Sequence, residues 1–175
     1  RISNVMQLYA DSYGRLFIGT NDSGVAIYTP DTGEVRFYTM EDGLGADSIR
    51  SICEDEDGNI FIGTVGNLSI IDKDGQITTC NDWEGINYVR SMVRGVDGVI
   101  AGVTNGGVLF FIKNKKLVAT REFDGSAGVY YTAVSCECKD RYLVGTSASY
   151  AERVILSGDK ITSHAGDYLF QQAFI

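Results

Sequence analysis

The sequence is short of proline, of positive charge and of long apolar runs, and each shortage removes a class of protein. Pro30 is the single proline in 175 residues, and 44% of the chain is hydrophobic, which excludes a disordered or proline-rich linker. Acidic residues outnumber basic ones 23 to 15 and leave a net charge of −8. Nucleic acids and anionic membranes recruit cationic surfaces, so no nucleic acid is expected as a partner. No run approaches the roughly 18 apolar residues of a membrane-spanning helix, so no direct membrane insertion is expected of this segment. Helical periodicity is missing too. The longest helix-like stretch, Asp47–Cys53, is hemmed in by Gly43, Gly45 and Gly58. The chain opens on Arg1 with no signal-peptide pattern behind it, and is read as a processed protein or a piece of a longer one.

Glycine is what the chain has in quantity, with 21 residues spread along its length. Glycines punctuating short apolar runs predict many short strands joined by tight turns, an all-β chain. The runs also repeat. GRLFIGT at 14–20 returns as GNIFIGT at 58–64, as GVIAGVT at 98–104 and as DRYLVGT at 140–146. The closing residues Thr20, Thr64, Thr104 and Thr146 are spaced by 44, 40 and 42, the range of propeller blades. Each unit divides into four strands; in the second they are 48–55, 59–64, 68–72 and 76–81, with Asp57-Gly58 read as a two-residue hairpin turn. The fold expected is therefore a β-propeller of about four four-stranded antiparallel blades. The blades fall near 1–46, 47–86, 87–128 and 129–167 of a single propeller region over 1–175, and residues 168–175 read as the first strand of a further blade.

Four blades and one strand make an arc of a larger propeller rather than a closed ring. An arc leaves terminal blade faces bare, and such faces form an apolar patch larger than a monomer tolerates. The remaining propeller blades, or a second copy of the chain in a dimer, are the expected partners there.

The stretch DGLGADSIRSICEDEDGNIFIGTVGNLSIID (42–72) resembles the two-component regulator propeller repeat. The match is carried by Asp42, Gly43, Leu44, Asp55, Gly58, Gly63, Thr64, Gly66, Leu68 and Asp72, and in the first unit by Asp11, Gly14, Gly19, Thr20 and Gly24. Phe17 and Phe61 stand where that repeat usually has tryptophan, Gly102-Val103 inverts the usual order, and Asp140 replaces the turn glycine. The resemblance implies an extracytoplasmic (periplasmic or cell-surface) sensing region of a bacterial membrane receptor, with a histidine kinase or diguanylate cyclase as its output. It also implies that glycan fragments are plausible ligands.

Strand order sorts the loops onto two faces. The turns joining first to second and third to fourth strands are short and hold little chemistry. The opposite face carries the longer connections 81–88, 123–131 and 165–170. Aromatic rings beside polar side chains suit a sugar, whose C–H faces stack while its hydroxyls hydrogen-bond. Trp83, Asn87, Tyr88, Arg90 and Tyr130 are therefore the expected ligand-binding residues, for an oligosaccharide or other small ligand. Tyr131 aligns with Val5, Ile49 and Val89 and reads as core.

No catalytic residue and no cofactor are expected. His164 sits in an outermost strand, and no serine lies in a nucleophile motif. The acidic run Asp55-Glu56-Asp57-Gly58-Asn59 has its would-be twelfth calcium position at Gly66, so it reads as a turn. Cys53, Cys80, Cys136 and Cys138 offer no second cluster for zinc and read as thiols, with Cys53 and Cys136 buried. Two alternatives stand beside a non-enzymatic sensing module. One is a constitutive protein-interaction scaffold. The other is a carbohydrate-active enzyme using carboxylates among Asp47, Asp82, Glu84, Asp124 and Asp167.

Overall fold

The computed structural model describes residue 2 and residues 4–123, 129–148 and 150–169, with side chains as far as Ser163. The fold is all-β: four antiparallel sheets of four strands, each a simple meander. The first sheet holds β1 (Val5–Ala10), β2 (Leu16–Thr20), β3 (Val25–Thr29) and β4 (Glu34–Tyr38). The second holds β5 (Ile49–Glu54), β6 (Ile60–Thr64), β7 (Ser69–Ile71) and β8 (Ile77–Thr79). The third holds β9 (Val89–Arg94), β10 (Ile100–Thr104), β11 (Val108–Lys113) and β12 (Lys116–Glu122). The fourth holds β13 (Tyr131–Cys138), β14 (Arg141–Thr146), β15 (Ala151–Ser157) and β16 (Lys160–Leu169). A single 3-10 turn at Met40–Asp42, capped by Thr39, is the helical element among the described residues. The chain divides into two compact units, Arg1–Arg90 and Ser91–Ile175.

The repeated residues have mechanical reasons. Each second strand ends on a buried threonine whose hydroxyl braces the turn that follows. Thr20 Oγ1 donates to the Gly24 carbonyl (2.9 Å) and accepts from the Ser23 amide (2.9 Å). Thr64 Oγ1 donates to the Asn67 carbonyl (3.0 Å) and accepts from the Gly66 amide (2.9 Å). Thr104 accepts from the Val108 amide and Thr146 donates to the Tyr150 carbonyl. A backbone that reverses direction inside a protein strands its amides and carbonyls, and one hydroxyl answers two of them.

The aspartates act likewise. Asp55 Oδ1 accepts from the amides of Asp57 (3.0 Å) and Asn59 (2.9 Å), and Oδ2 accepts from Asn59 Nδ2 (2.8 Å). Asp11 and Asp72 repeat the pattern. The hairpins are therefore longer than the two-residue turns expected. The Gly58 amide returns to the Asp55 carbonyl with Gly58 at φ +81°, and Asp55 N–H pairs with the Asn59 carbonyl. The carboxylate that resembled a calcium ligand is spent on the turn's own amides.

Register sorts each sheet into two faces, because paired residues share a face and alternate residues along a strand do too. In the first sheet Tyr9, Phe17, Ile27 and Arg36 form one row. In the second, Ile52 and Ile62 share a face with Ile60, Ile71 and Ile77. Phe17, Val25 and Ile27 pack with Ile49, Ile52, Ile60, Ile62 and Ile71 into one core, so the first sheet lies face to face on the second. Close approach needs Gly19: a Cβ there would stand 2.7 Å from Ile49 Cγ2. The narrow position is thus a second-strand glycine. At one edge of this contact Ser12 donates through its amide (2.9 Å) and hydroxyl (2.6 Å) to the buried Glu54 carboxylate.

The second unit repeats this packing. Ala101, Val103, Leu109 and Phe111 of the third sheet pack on Val134, Tyr142, Val144 and Val154 of the fourth. Phe111 meets Tyr142 edge to face, with ring centroids 5.0 Å apart. Tyr131 is buried, as its alignment implied, and takes a hydrogen bond from Arg121 (2.8 Å), which also pairs with Glu152 (2.8 Å). Cys136 is half buried rather than buried, packed at the margin of this core.

One strand boundary differs from expectation. Tyr168 and Leu169 pair with Glu152 and Ala151, so they end the fourth strand of the fourth sheet instead of opening a further blade. A register shift between Glu152 and Val154 lets β16 run on for ten residues. Residues 170–175, the rest of that expected strand, lie outside the described residues.

Thr64 is fully buried, so Thr64→Val keeps its shape and removes both hydrogen bonds. The change should cost about 1–3 kcal/mol of unfolding free energy in urea titrations, whereas Thr64→Ser should recover most of it.

Candidate functional site

The expected ligand residues divide between the units, with Trp83, Asn87, Tyr88 and Arg90 in the first and Tyr130 in the second. In the first unit the connection after β8 turns through Trp83, which is half buried: the Trp83 amide reaches back to the Cys80 carbonyl and the Ile86 amide to the Trp83 carbonyl. Asn87 is exposed and bridges to Asn67, whose side chain donates to Asn81 Oδ1 (2.7 Å). Tyr88 is half buried and its amide donates to the Gly66 carbonyl (3.0 Å). Arg90 is half buried in β9. In the second unit the Tyr130 amide donates to Ser147 Oγ (3.1 Å), and the Ser147 amide returns to the Tyr130 carbonyl.

Tyr88 is the centre of the polar cluster. Its φ is +46°, a left-handed conformation that costs a bulky side chain about 1–3 kcal/mol. Asn4, at the same repeat position, has φ +52°, where an asparagine is at ease. The Arg50 guanidinium lies 6.0 Å from the Tyr88 ring centroid. Arg50 Nη2 donates to Asn21 Oδ1 (2.9 Å), which also accepts from Ser48 Oγ (3.3 Å). Asn4 Nδ2 donates to Asp22 Oδ2 (2.7 Å), and this bond with one from Ser23 holds the Asp22 carboxyl below its usual range. Arg50 Nη1 is buried and has no hydrogen-bond partner. A buried cationic donor left unanswered is costly, and a ligand oxygen would answer it.

Sequence reasoning missed Arg50, Asn21 and Ser48. The repeat alignment held the signal for Arg50, since it occupies the position of Arg90, which was chosen. Asn21 comes from the loop between β2 and β3 and reaches Arg50 only once the first sheet lies on the second.

The face of short turns has more shape than expected. A cleft of about 240 Å³ in the first unit is lined by Arg15, Glu34, Arg36, Tyr38, Lys73 and Asp74 among others. A second, of about 400 Å³, shares Arg15, Lys73 and Asp74 and adds Tyr13. Two cations of the first cleft are already answered, Arg15 Nε by Asp11 (2.6 Å) and Arg36 by Glu34 (2.7 Å). Nothing there matches the orphaned donor of Arg50.

Asp47 Oδ1 accepts from the Met40 amide (2.7 Å), and Asp82 and Glu84 are exposed. Asp124 lies outside the described residues; the side chains of His164 and Asp167 do too. Among the described residues no group of His, Cys, Asp and Glu is placed to hold a metal ion, and no helix is long and apolar enough to cross a membrane.

Four meandering sheets at near-constant spacing, each with a threonine-braced turn, make this a β-propeller repeat protein. Residues 43–66 match the model of the two component regulator propeller family. No curated protein matches the sequence. Solved structures resemble it in fold. A chain named as the extracellular domain of a hybrid two component system from B. thetaiotaomicron is 24% identical, with TM-score 0.71 over 91% of this chain and 23% of that one. The extracellular domain named for a one component system of the same organism is 16% identical, with TM-score 0.74 over 91% and 23%. Virginiamycin B lyase from Staphylococcus aureus is 16% identical, with TM-score 0.70 over 92% and 57%. The chain thus spans under a quarter of the two sensor domains and little over half of the lyase.

Burial pushes the Cys80 thiol up to about 11. The folded state therefore keeps a proton that the unfolded chain releases near pH 8.5. Cys80's contribution should be complete below that pH and decline as pH rises toward 11. Urea titrations at pH 8 and pH 10 should show the decline, and Cys80→Ala should reduce it.

Proposed function

We propose that this chain is a non-enzymatic ligand-sensing propeller region, working outside the cytoplasmic membrane as part of a bacterial signal-transduction receptor. Its ligand is a small polyhydroxylic molecule, an oligosaccharide, held at the loop-rich face of the first unit. The carrying observation is the buried, unanswered Nη1 of Arg50, whose guanidinium lies 6.0 Å from the Tyr88 ring centroid and bonds Asn21, the partner of Ser48. A ring face offers a surface for sugar C–H groups, and a guanidinium offers paired donors to hydroxyl or carboxylate oxygens. The strained backbone of Tyr88 supports the same reading, since such strain is tolerated where function requires the side chain.

The family repeat at 43–66 and the sensor-domain neighbours support the sensing role. The lyase neighbour keeps an enzymatic reading in view, but it is a fold likeness at 16% identity. Carboxylates near the site are engaged structurally, Asp22 with Asn4 and Ser23 and Asp47 with the Met40 amide. A ligand would signal by preferring one arrangement of paired receptor chains over another.

Thermal-shift screening against oligosaccharides should find one that raises Tm in a concentration-dependent way, by RT ln(1 + [L]/Kd) in free energy. Tyr88→Asn should leave the unliganded Tm equal or higher while abolishing that shift, and Arg50→Met should do the same. No shift with any sugar would favour a constitutive interaction scaffold, and release of cleaved product would favour an enzyme.

A further inference from the structure

Arg50 stands on a register shift that the fold repeats. Ile49 pairs with Thr64 and Ser51 with Gly63, so Arg50 is the extra residue of a bulge in β5. The first strands β1 and β13 shift register at the same place and leave Met6 and Thr132 as their extra residues. A bulge re-aims the side chain it carries. Here that side chain is a thioether in one sheet, a guanidinium in another and a hydroxyl in a third, so the sheet itself does not require a charge at this position.

The charge of Arg50 has no counterion. Arg15, Arg36, Arg121 and Arg153 each meet a carboxylate oxygen at 2.6 to 2.8 Å. Arg50 is half buried, and no carboxylate among the described residues forms an ion pair with it. Its Nη2 donates to the neutral Asn21 Oδ1 (2.9 Å), while Nη1 is buried without a partner. Carboxylates are not scarce, with 23 acids in the chain against 15 basic residues. The acids next in sequence to the site are occupied elsewhere. Asp22 accepts from Asn4 Nδ2 (2.7 Å) and Ser23 Oγ (2.8 Å), and Asp47 accepts from the Met40 amide (2.7 Å).

We propose that the sugar bound at this face is acidic, and that Arg50 takes its negatively charged oxygen group, a carboxylate or a sulfate ester. This inference rests on the sugar-site reading and narrows it. A neutral hydroxyl would answer the Nη1 hydrogens and leave the charge of a half-buried guanidinium unbalanced. An anionic oxygen answers both, in a hydrogen bond roughly twice as strong as a neutral one. The Tyr88 ring, its centroid 6.0 Å from the guanidinium, gives the C–H face of the same sugar a surface beside that charge.

The test is isothermal titration of the full chain with matched sugars: oligogalacturonates against their methyl esters, and sulfated galactose oligomers against their desulfated counterparts. Neutral malto-oligosaccharides complete the panel. The members of each pair share rings and differ in charge. The expected result is one acidic member binding at least about tenfold tighter than its neutral counterpart, and the pair that responds tells carboxylate from sulfate. Arg50→Gln, its folding checked by a melting curve, should bring both members of that pair to the same weak affinity. Arg50→Lys keeps the charge and should keep part of the preference. Equal affinity for the two members, or tighter binding of a neutral sugar, would overturn the proposal and leave the sugar site standing. A preference for the acidic member that survives unchanged in folded Arg50→Gln would overturn it too. Binding of no sugar at all would overturn it together with the sugar-site reading.

Discussion

Burial of sheet faces against one another is the constraint from which the rest of this structure follows. A strand buried on both sides has apolar residues at consecutive positions, as in IFI at 60–62 and VLFFI at 108–112. Such a sheet cannot satisfy itself and needs a neighbour on each flank. At ~25 cal/mol per Å² of apolar surface, the contact of two such faces outweighs any single hydrogen bond in the molecule. The hydrogen bonds have another part to play. Threonine hydroxyls and aspartate carboxylates satisfy turns that the packing has pushed inward, so they fix which geometry the buried sheets adopt.

The packing also explains where binding chemistry gathers. Sheets that converge bring the starts of their first strands and the loops beside them close together. Asn21, from one sheet, meets Arg50 and Ser48, from the next, and Tyr88 follows from the connection beyond. Arg50 Nη1 is buried by that convergence and left unanswered, a cost that a structure serving stability alone would have removed. The clefts on the short-turn face arise from the same two sheets where their outer strands diverge, and their cations are neutralised in place.

Repeats are rarely uniform, and the departures follow packing rules. The third sheet lacks the second-strand phenylalanine of the first two and has Ala101 there; Phe111 on the neighbouring strand fills the space instead and meets Tyr142. Gly102 is needed because the Phe110 ring lies over it. A sequence comparison sees two lost motif residues, whereas the packed core sees volume moved by one strand.

The four-stranded unit, the repeat length and the equivalence of the four threonines were legible in the sequence, because period-two burial and turn chemistry are local and recur every forty or so residues. So was the buried state of Tyr131, by its alignment with Val5, Ile49 and Val89. Trp83, Asn87 and Tyr88 were legible as members of a loop-rich face, though not Tyr88's left-handed backbone, which its aligned partner Asn4 would have hinted at. The partnership of Arg50 with Asn21 was not legible, nor was the exposure that separates Leu8 from Ile52. Both depend on which face of one sheet meets which face of another, and two residues that look alike along a strand become core or surface only when a second sheet arrives.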